Sequence, residues 1–226
     1  GSHRPVTGDS RTVTLRGDQQ SGVNAFAYGG AATVTVGSVV GEGTLGNGVY
    51  AEGTGGVSVT SGMIDVQSSG IVAIGLDGSD VVVETSGNTI TENNHAIYAS
   101  GGNVSVVTAE GTTTRGGTSG IRAVADDGAA IVNGGTAVAT GDLGSAIHVT
   151  APGAVSISSD VVQVSGPGAD PGVRADGSGY RIEQGGIIVE GGAGPIEIAA
   201  GSVDVGGQHR YGISARGSGA IDIAAD

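Results

Sequence analysis

The apolar residues of this chain fall in short pairs separated by one residue, with Gly, Ser, Asn and Asp filling the intervals. Val34/Val36, Val57/Val59, Val81/Val83, Val104/Val106, Val155/Ile157, Ile196/Ile198 and Ile221/Ile223 form one series. Ile64/Val66, Thr89/Thr91, Val162/Val164 and Val203/Val205 form a looser one. A spacing of two puts both members on one face of an extended strand, so each pair predicts a short strand with one buried face. The residues between them are turn formers. No segment carries a 3.6-residue apolar period, and the Ala-rich stretches are broken by Gly, so no helix of consequence is predicted.

A tetrapeptide, small–Val/Ile–x–Ala, recurs through the chain and sets its period. It reads Gly22-Val23-Asn24-Ala25, Gly48-Val49-Tyr50-Ala51, Gly70-Ile71-Val72-Ala73, Ala96-Ile97-Tyr98-Ala99 and Gly120-Ile121-Arg122-Ala123. It continues as Ala146-Ile147-His148-Val149, Gly172-Val173-Arg174-Ala175, Gly186-Ile187-Ile188-Val189 and Gly212-Ile213-Ser214-Ala215. With the Val/Ile as marker, the spacings are 26, 22, 26, 24, 26, 26, 14 and 26 residues. Three short strands in 22–26 residues cannot bury an apolar face alone, but coils stacked on one another can. The fold class predicted is therefore all-β, a right-handed parallel β-helix with three short strands per turn in three sheets. A left-handed hexapeptide coil would need a stricter rhythm of ~18 residues, and a β-sandwich would not repeat one tetrapeptide nine times. Nine rungs at ~4.8 Å predict a rod roughly 45 Å long. The 14-residue step predicts a truncated or distorted turn between Val173 and Ile187.

Composition narrows the picture further. Gly supplies 47 of 226 residues and aromatics only 3%, so the core is built from small and β-branched side chains. The hydrophobic fraction of 38% is too high for a disordered chain, and Gly has no three-residue period, which excludes collagen. The net charge of −13, with Arg as the sole basic residue type besides His, argues against nucleic acid and anionic membrane surfaces as partners. No Cys is present, which removes disulfides and thiolate chemistry. No apolar stretch is long enough to span a membrane as a helix. The sequence divides into a tag remnant at residues 1–3, an N-terminal partial turn or cap at 4–20, and a repeat domain at 21–226 that is read as a fragment of a longer chain.

Repeats such as Gly48-Val49-Tyr50-Ala51-Glu52-Gly53, followed by Val57-Ser58-Val59-Thr60-Ser61-Gly62, resemble the β-helical passenger domains of bacterial autotransporters. The resemblance covers residues 21–226 and rests on architectural residues. It implies export by type V secretion, display on or release from the cell surface, and a translocator barrel elsewhere in the parent chain. The function expected is a non-enzymatic stalk or adhesin module. Its partners would be host or bacterial surface glycans or proteins, with end-to-end or lateral self-association.

The alternative from another class is a carbohydrate-active β-helix enzyme, a polysaccharide lyase or hydrolase, which needs converging carboxylates. Asp77/Asp80, Asp126/Asp127 and Asp170/Asp176 are the nearest local sets, and Asp77-Gly78 and Asp126-Asp127-Gly128 read first as turns. His95, His148 and His209 lie in no recognisable triad or metal spacing; His95 takes a turn position. No catalytic residue, cofactor or metal is assigned. An ice-binding surface would need a regular Thr-x-Thr array, and only Thr89/Thr91 and Thr112/Thr114 supply one. The remaining candidate is the residue between the inward pair of each tetrapeptide. It must point outward, and Tyr50, Tyr98, Arg122, His148 and Arg174 fall in that column. Planar side chains and Arg stacked along a rod form either a solvated face or a recognition stripe.

Overall fold

Residues 6–16, 21–42, 46–141, 144–166, 185–207 and 211–226 are described by a computed structural model. Each tetrapeptide there becomes a strand: Val23–Ala27, Val49–Gly53, Ile71–Gly75, His95–Gly101, Ser119–Ala125, Ser145–Ala151, Gly185–Gly191 and Tyr211–Arg216. These eight strands pair in parallel, in order along the chain, to make one sheet, here called the marker sheet. The period-2 pairs build a second, 11-stranded sheet in the same parallel order. The chain is thus a right-handed parallel β-solenoid, as the repeat predicts. Residues 6–16, expected as a partial turn or cap, supply the first strand of the second sheet, in register with 32–42.

Two sequence expectations are corrected by this topology. The second and third strands of a coil do not form separate sheets. In most coils they are one strand of 10 or 11 residues, such as Ala32–Glu42, Val57–Val66 and Val155–Val164. Only the coils of Ile71 and Ile97 split it, into Val81–Thr85 with Thr89–Thr91 and Val104–Thr108 with Thr113–Gly116. The long strand bends at one residue, where the ladder skips a pair: Arg11 against Gly37, Gly37 against Gly62, Asp160 against Gly201. Successive bends lie close together, and a Cβ added to Gly62 would sit 2.0 Å from the Gly37 carbonyl oxygen. A one-residue bend leaves no loop between the second and third strands, so hydrogen bonding runs through it.

The second correction concerns the irregular step. Ile147 pairs directly with Ile187, so one coil spans the 40 residues from 147 to 187. The repeat at 172–175 lies outside the described residues. The irregularity is a lengthened coil and not a shortened one.

Register makes like stack on like. Val49, Ile71, Ile97, Ile121, Ile147 and Ile187 are all 0% exposed, as are Ala51, Ala73, Ala99 and Ala123 beside them. Facing them across a narrow core are Val34, Val59, Val83, Val106, Val132 and Ile157. Full burial of one such side chain contributes roughly 1.5–3 kcal/mol. The Thr pairs weighed for ice binding also face this core: Thr89, Thr91, Thr112 and Thr114 are all buried, which removes that reading. On the last coil, Ile221 and Ile223 hold the inward register but are exposed, because no described coil covers them.

Polar side chains tie the rungs at the corners. Asp80 Oδ1 accepts from the Asn103 side-chain amide at 2.9 Å, and Asn103 Oδ1 accepts from the Ala129 N–H at 2.9 Å, linking three coils. Asp77 and Gly78 form a tight turn in the left-handed region, with φ of 55° and 73°, the conformation that Asp-Gly supports.

The register predicts a sharp contrast between neighbours. Ile121→Ala should cost about 2–5 kcal/mol through the cavity it leaves, whereas Arg122→Ala should cost under about 1 kcal/mol. Gly62→Ala should fall nearer the first, because backbone must move to admit the methyl group. Urea melts of the three variants check this, and equal losses for Ile121 and Arg122 would mean the inward and outward faces are misassigned.

Candidate functional site

The outer face of the marker sheet carries the candidate column. Strand pairing runs it as Asn24, Tyr50, Val72, Tyr98, Arg122, His148, Ile188 and Ser214, one residue per rung. A parallel column runs beside it: Phe26, Glu52, Ile74, Ser100, Val124, Thr150, Glu190 and Arg216. Tyr50, Tyr98, Arg122 and His148 are half-buried, which an isolated solvated side chain would not be. Tyr98, Arg122 and His148 are consecutive, ~4.8 Å apart along the rod. Arg174, expected next, lies outside the described residues, and the column passes from His148 to Ile188 instead. Ile188 is fully buried although its register is outward, so the exposed row ends at His148.

His95 joins this row, a residue the sequence reads as a turn. It opens its strand opposite Ser119 and turns outward, stacking on Tyr98 with ring centroids 5.7 Å apart and planes 28° from parallel. Burial lowers its pKa to about 4, and the positive charges of Arg122 and His148 act in the same direction. Among the described residues its buried Nδ1 has no hydrogen-bond partner, and neither has the buried Nε of Arg122. Arg122 thus places a fixed positive charge among His95, Tyr98 and His148 on a protein of net charge −13. Beside it, Val124, Asp126, Thr150, Pro152 and Glu190 line an open groove of about 440 Å³, within the size range of small-ligand sites.

Towards the N-terminal end the same face changes character. Phe26, Tyr28 and Tyr50 cluster, with the Phe26 ring 6.2 Å from Tyr28 and 5.3 Å from Tyr50. The Tyr50 hydroxyl donates to Glu52 Oε2 at 2.6 Å, and Tyr28 also hydrogen-bonds Glu52. Burial, followed by the bond to Glu52 and its charge, pushes the Tyr50 hydroxyl up to about 12. Sequence reasoning found Tyr50 but missed Phe26, Tyr28 and Glu52. Phe26 and Glu52 stand two residues beyond the column, and outward again by alternation; that spacing was the available signal.

The carboxylates divide. Asp77, Asp80, Asp126 and Asp127 sit in the stacked turns between the two sheets, where Asp80 serves the corner hydrogen bonds. Asp170 and Asp176 lie outside the described residues. A pair that the sequence search did not find is Glu197 and Asp222, opposite each other on neighbouring outward positions of the second sheet. Their groove, shared with Ser156 and Ser158, holds about 220 Å³, below the usual range for a ligand pocket. Among the described residues no three metal-ligating side chains converge, and no helix is long and apolar enough to cross a membrane. Compared with known protein families, curated proteins and solved structures, the chain matches none.

The His95 geometry has a consequence for stability. Its pKa is lower folded than unfolded, so between about 4 and 6.5 the unfolded chain binds more protons. The stability that neutral His95 contributes is full above pH 6.5 and is lost as pH falls towards 4. His95→Gln should flatten the pH dependence of the melting temperature in that window relative to wild type. Identical slopes for the two proteins would mean His95 titrates as it does in water.

Proposed function

We propose that this chain is a non-enzymatic segment of a surface-displayed or secreted β-helix, of the autotransporter passenger type, which presents a glycan-binding face. The observation that carries this reading is the row Tyr98–Arg122–His148 on the outer face, with a groove alongside. Arg binds carboxylates through two parallel N–H donors. The groove's Thr150, Asp126 and Glu190 accept hydrogen bonds from hydroxyls. An acidic glycan supplies both chemistries: a carboxylate for Arg122 and hydroxyls for the groove. In this reading the stacked coils act as a stiff rod that carries the face away from the cell, and export places it outside the outer membrane. Affinity per site is low, since the whole chain repels anions, and display in many copies compensates.

A second reading, a carbohydrate-active enzyme, is favoured by one observation, the Glu197/Asp222 pair. Adjacent rungs put these carboxylates roughly 5 Å apart, a separation compatible with retaining hydrolysis. Both stand on an open flank of the last coils, with no enclosing walls, so binding remains the reading in favour. Self-association of this chain, end to end or lateral, belongs to the first reading.

A multimerised chain should bind uronic- or sialic-acid glycans, more weakly as salt rises, and Arg122→Ala should lower that binding at least about tenfold. Acidic glycans that bind neither protein, or both alike, would refute the recognition role. Release of reducing ends from such glycans, abolished by Glu197→Gln, would favour the enzyme instead.

A further inference from the structure

Half of this chain's aromatic side chains meet at one place. It has five Tyr and one Phe, and three of these six, Phe26, Tyr28 and Tyr50, cluster around Glu52 on the outer face of the marker sheet. Phe26 is 47% exposed and Tyr28 70% exposed. A core this poor in aromatics is closed by Val, Ile and Ala, so these rings are not needed to fill it. They remain in water, where exposed apolar area is unfavourable unless something covers it.

We infer that Phe26, Tyr28, Tyr50 and Glu52 form a binding platform for the apolar face of a neutral pyranose. The polar atoms restrict the ligand. Both phenol hydroxyls donate to Glu52, which leaves the phenol oxygens and the remaining carboxylate lone pairs as acceptors. The site therefore wants donors, and a sugar ring offers hydroxyl donors around a C–H face. Anionic ligands are repelled by Glu52. A quaternary ammonium would need rings set as perpendicular walls around one point, but the Phe26 plane lies only 23° from Tyr28 and 38° from Tyr50. Rings at 23° and 38° to one another, spread over two rungs, leave an open apolar surface against which one face of a sugar ring can rest.

This inference rests on the reading that the marker sheet's outer face binds glycans, and it assigns a different ligand class to a different part of that face. Tyr50 and Tyr98 stand two rungs apart, with Val72 between them, or about 10 Å. The neutral and acidic sites are thus separable by mutation.

The test uses the full chain, multimerised, against neutral gluco-, galacto- and manno-oligosaccharides and against an Arg-rich peptide, with acidic glycans as a parallel arm. At least one neutral oligosaccharide should bind. Phe26→Ala and Tyr28→Ala should each weaken it tenfold or more, while Arg122→Ala should leave it within twofold. Both rings are exposed, so melting temperatures should stay near wild type and confirm that the variants fold. Neutral-sugar binding unaffected by Phe26→Ala and Tyr28→Ala, or none at all, would overturn the proposal. So would a platform that captures only the cationic peptide. Failure of the acidic arm alone, with the neutral arm intact, would refute the Arg122 site and leave this one standing.

Discussion

Parallel hydrogen bonding between successive coils fixes every rung ~4.8 Å above the last, and the rest of the structure follows from that spacing. At such a distance each inward side chain rests on its counterpart, so the column must be one that stacks on itself. Val, Ile and Ala do this with few rotamers to lose. Gly enters where backbones approach most closely, as at Gly62 over the Gly37 carbonyl. The same rule explains the corner ladders, where Asp80, Asn103 and the Ala129 N–H pass hydrogen bonds from coil to coil. A polar side chain with an identical rise above and below can satisfy its neighbour as well as itself.

On the outer face the identical spacing has a chemical result. Residues more than twenty positions apart become immediate neighbours, and their order along the rod is their order in the sequence. Tyr98, Arg122 and His148 form a row because three coils chose planar side chains at one position. Arg122 stands in that row despite the acidity of the whole, and His95 beside it stays neutral well below its ordinary pKa chiefly because it is buried. Two rungs away, Glu52 gathers two phenols and reverses the local charge. A single sheet face thus carries Arg122 in one region and the carboxylate of Glu52 in another.

Flatness bears on mechanism as much as composition does. The core is filled by its own Val, Ile and Ala side chains, so the surface open to other molecules is the outside of the coils. Grooves arise only between rows of outward side chains, as beside Thr150 and Glu190.

The repeat itself determined the coil, the inward residues and the outward column, because a two-residue alternation and a fixed coil length leave little freedom once strands must stack. Ile121 inward and Arg122 outward could be assigned from position alone. What the sequence could not decide were the places where stacking departs from the period. The tetrapeptide at 172–175 matches the repeat, yet Ile147 pairs with Ile187, since a local match has no knowledge of which strands hydrogen-bond. The fusion of two strands through a one-residue bend was hidden for a similar reason: Gly reads as a turn wherever it stands. Phe26, Tyr28 and Glu52 belong to neighbouring coils and gather with Tyr50 only when those coils are in register. Their meeting was a decision of the tertiary structure, because proximity across rungs is set by hydrogen-bond register and not by distance along the chain.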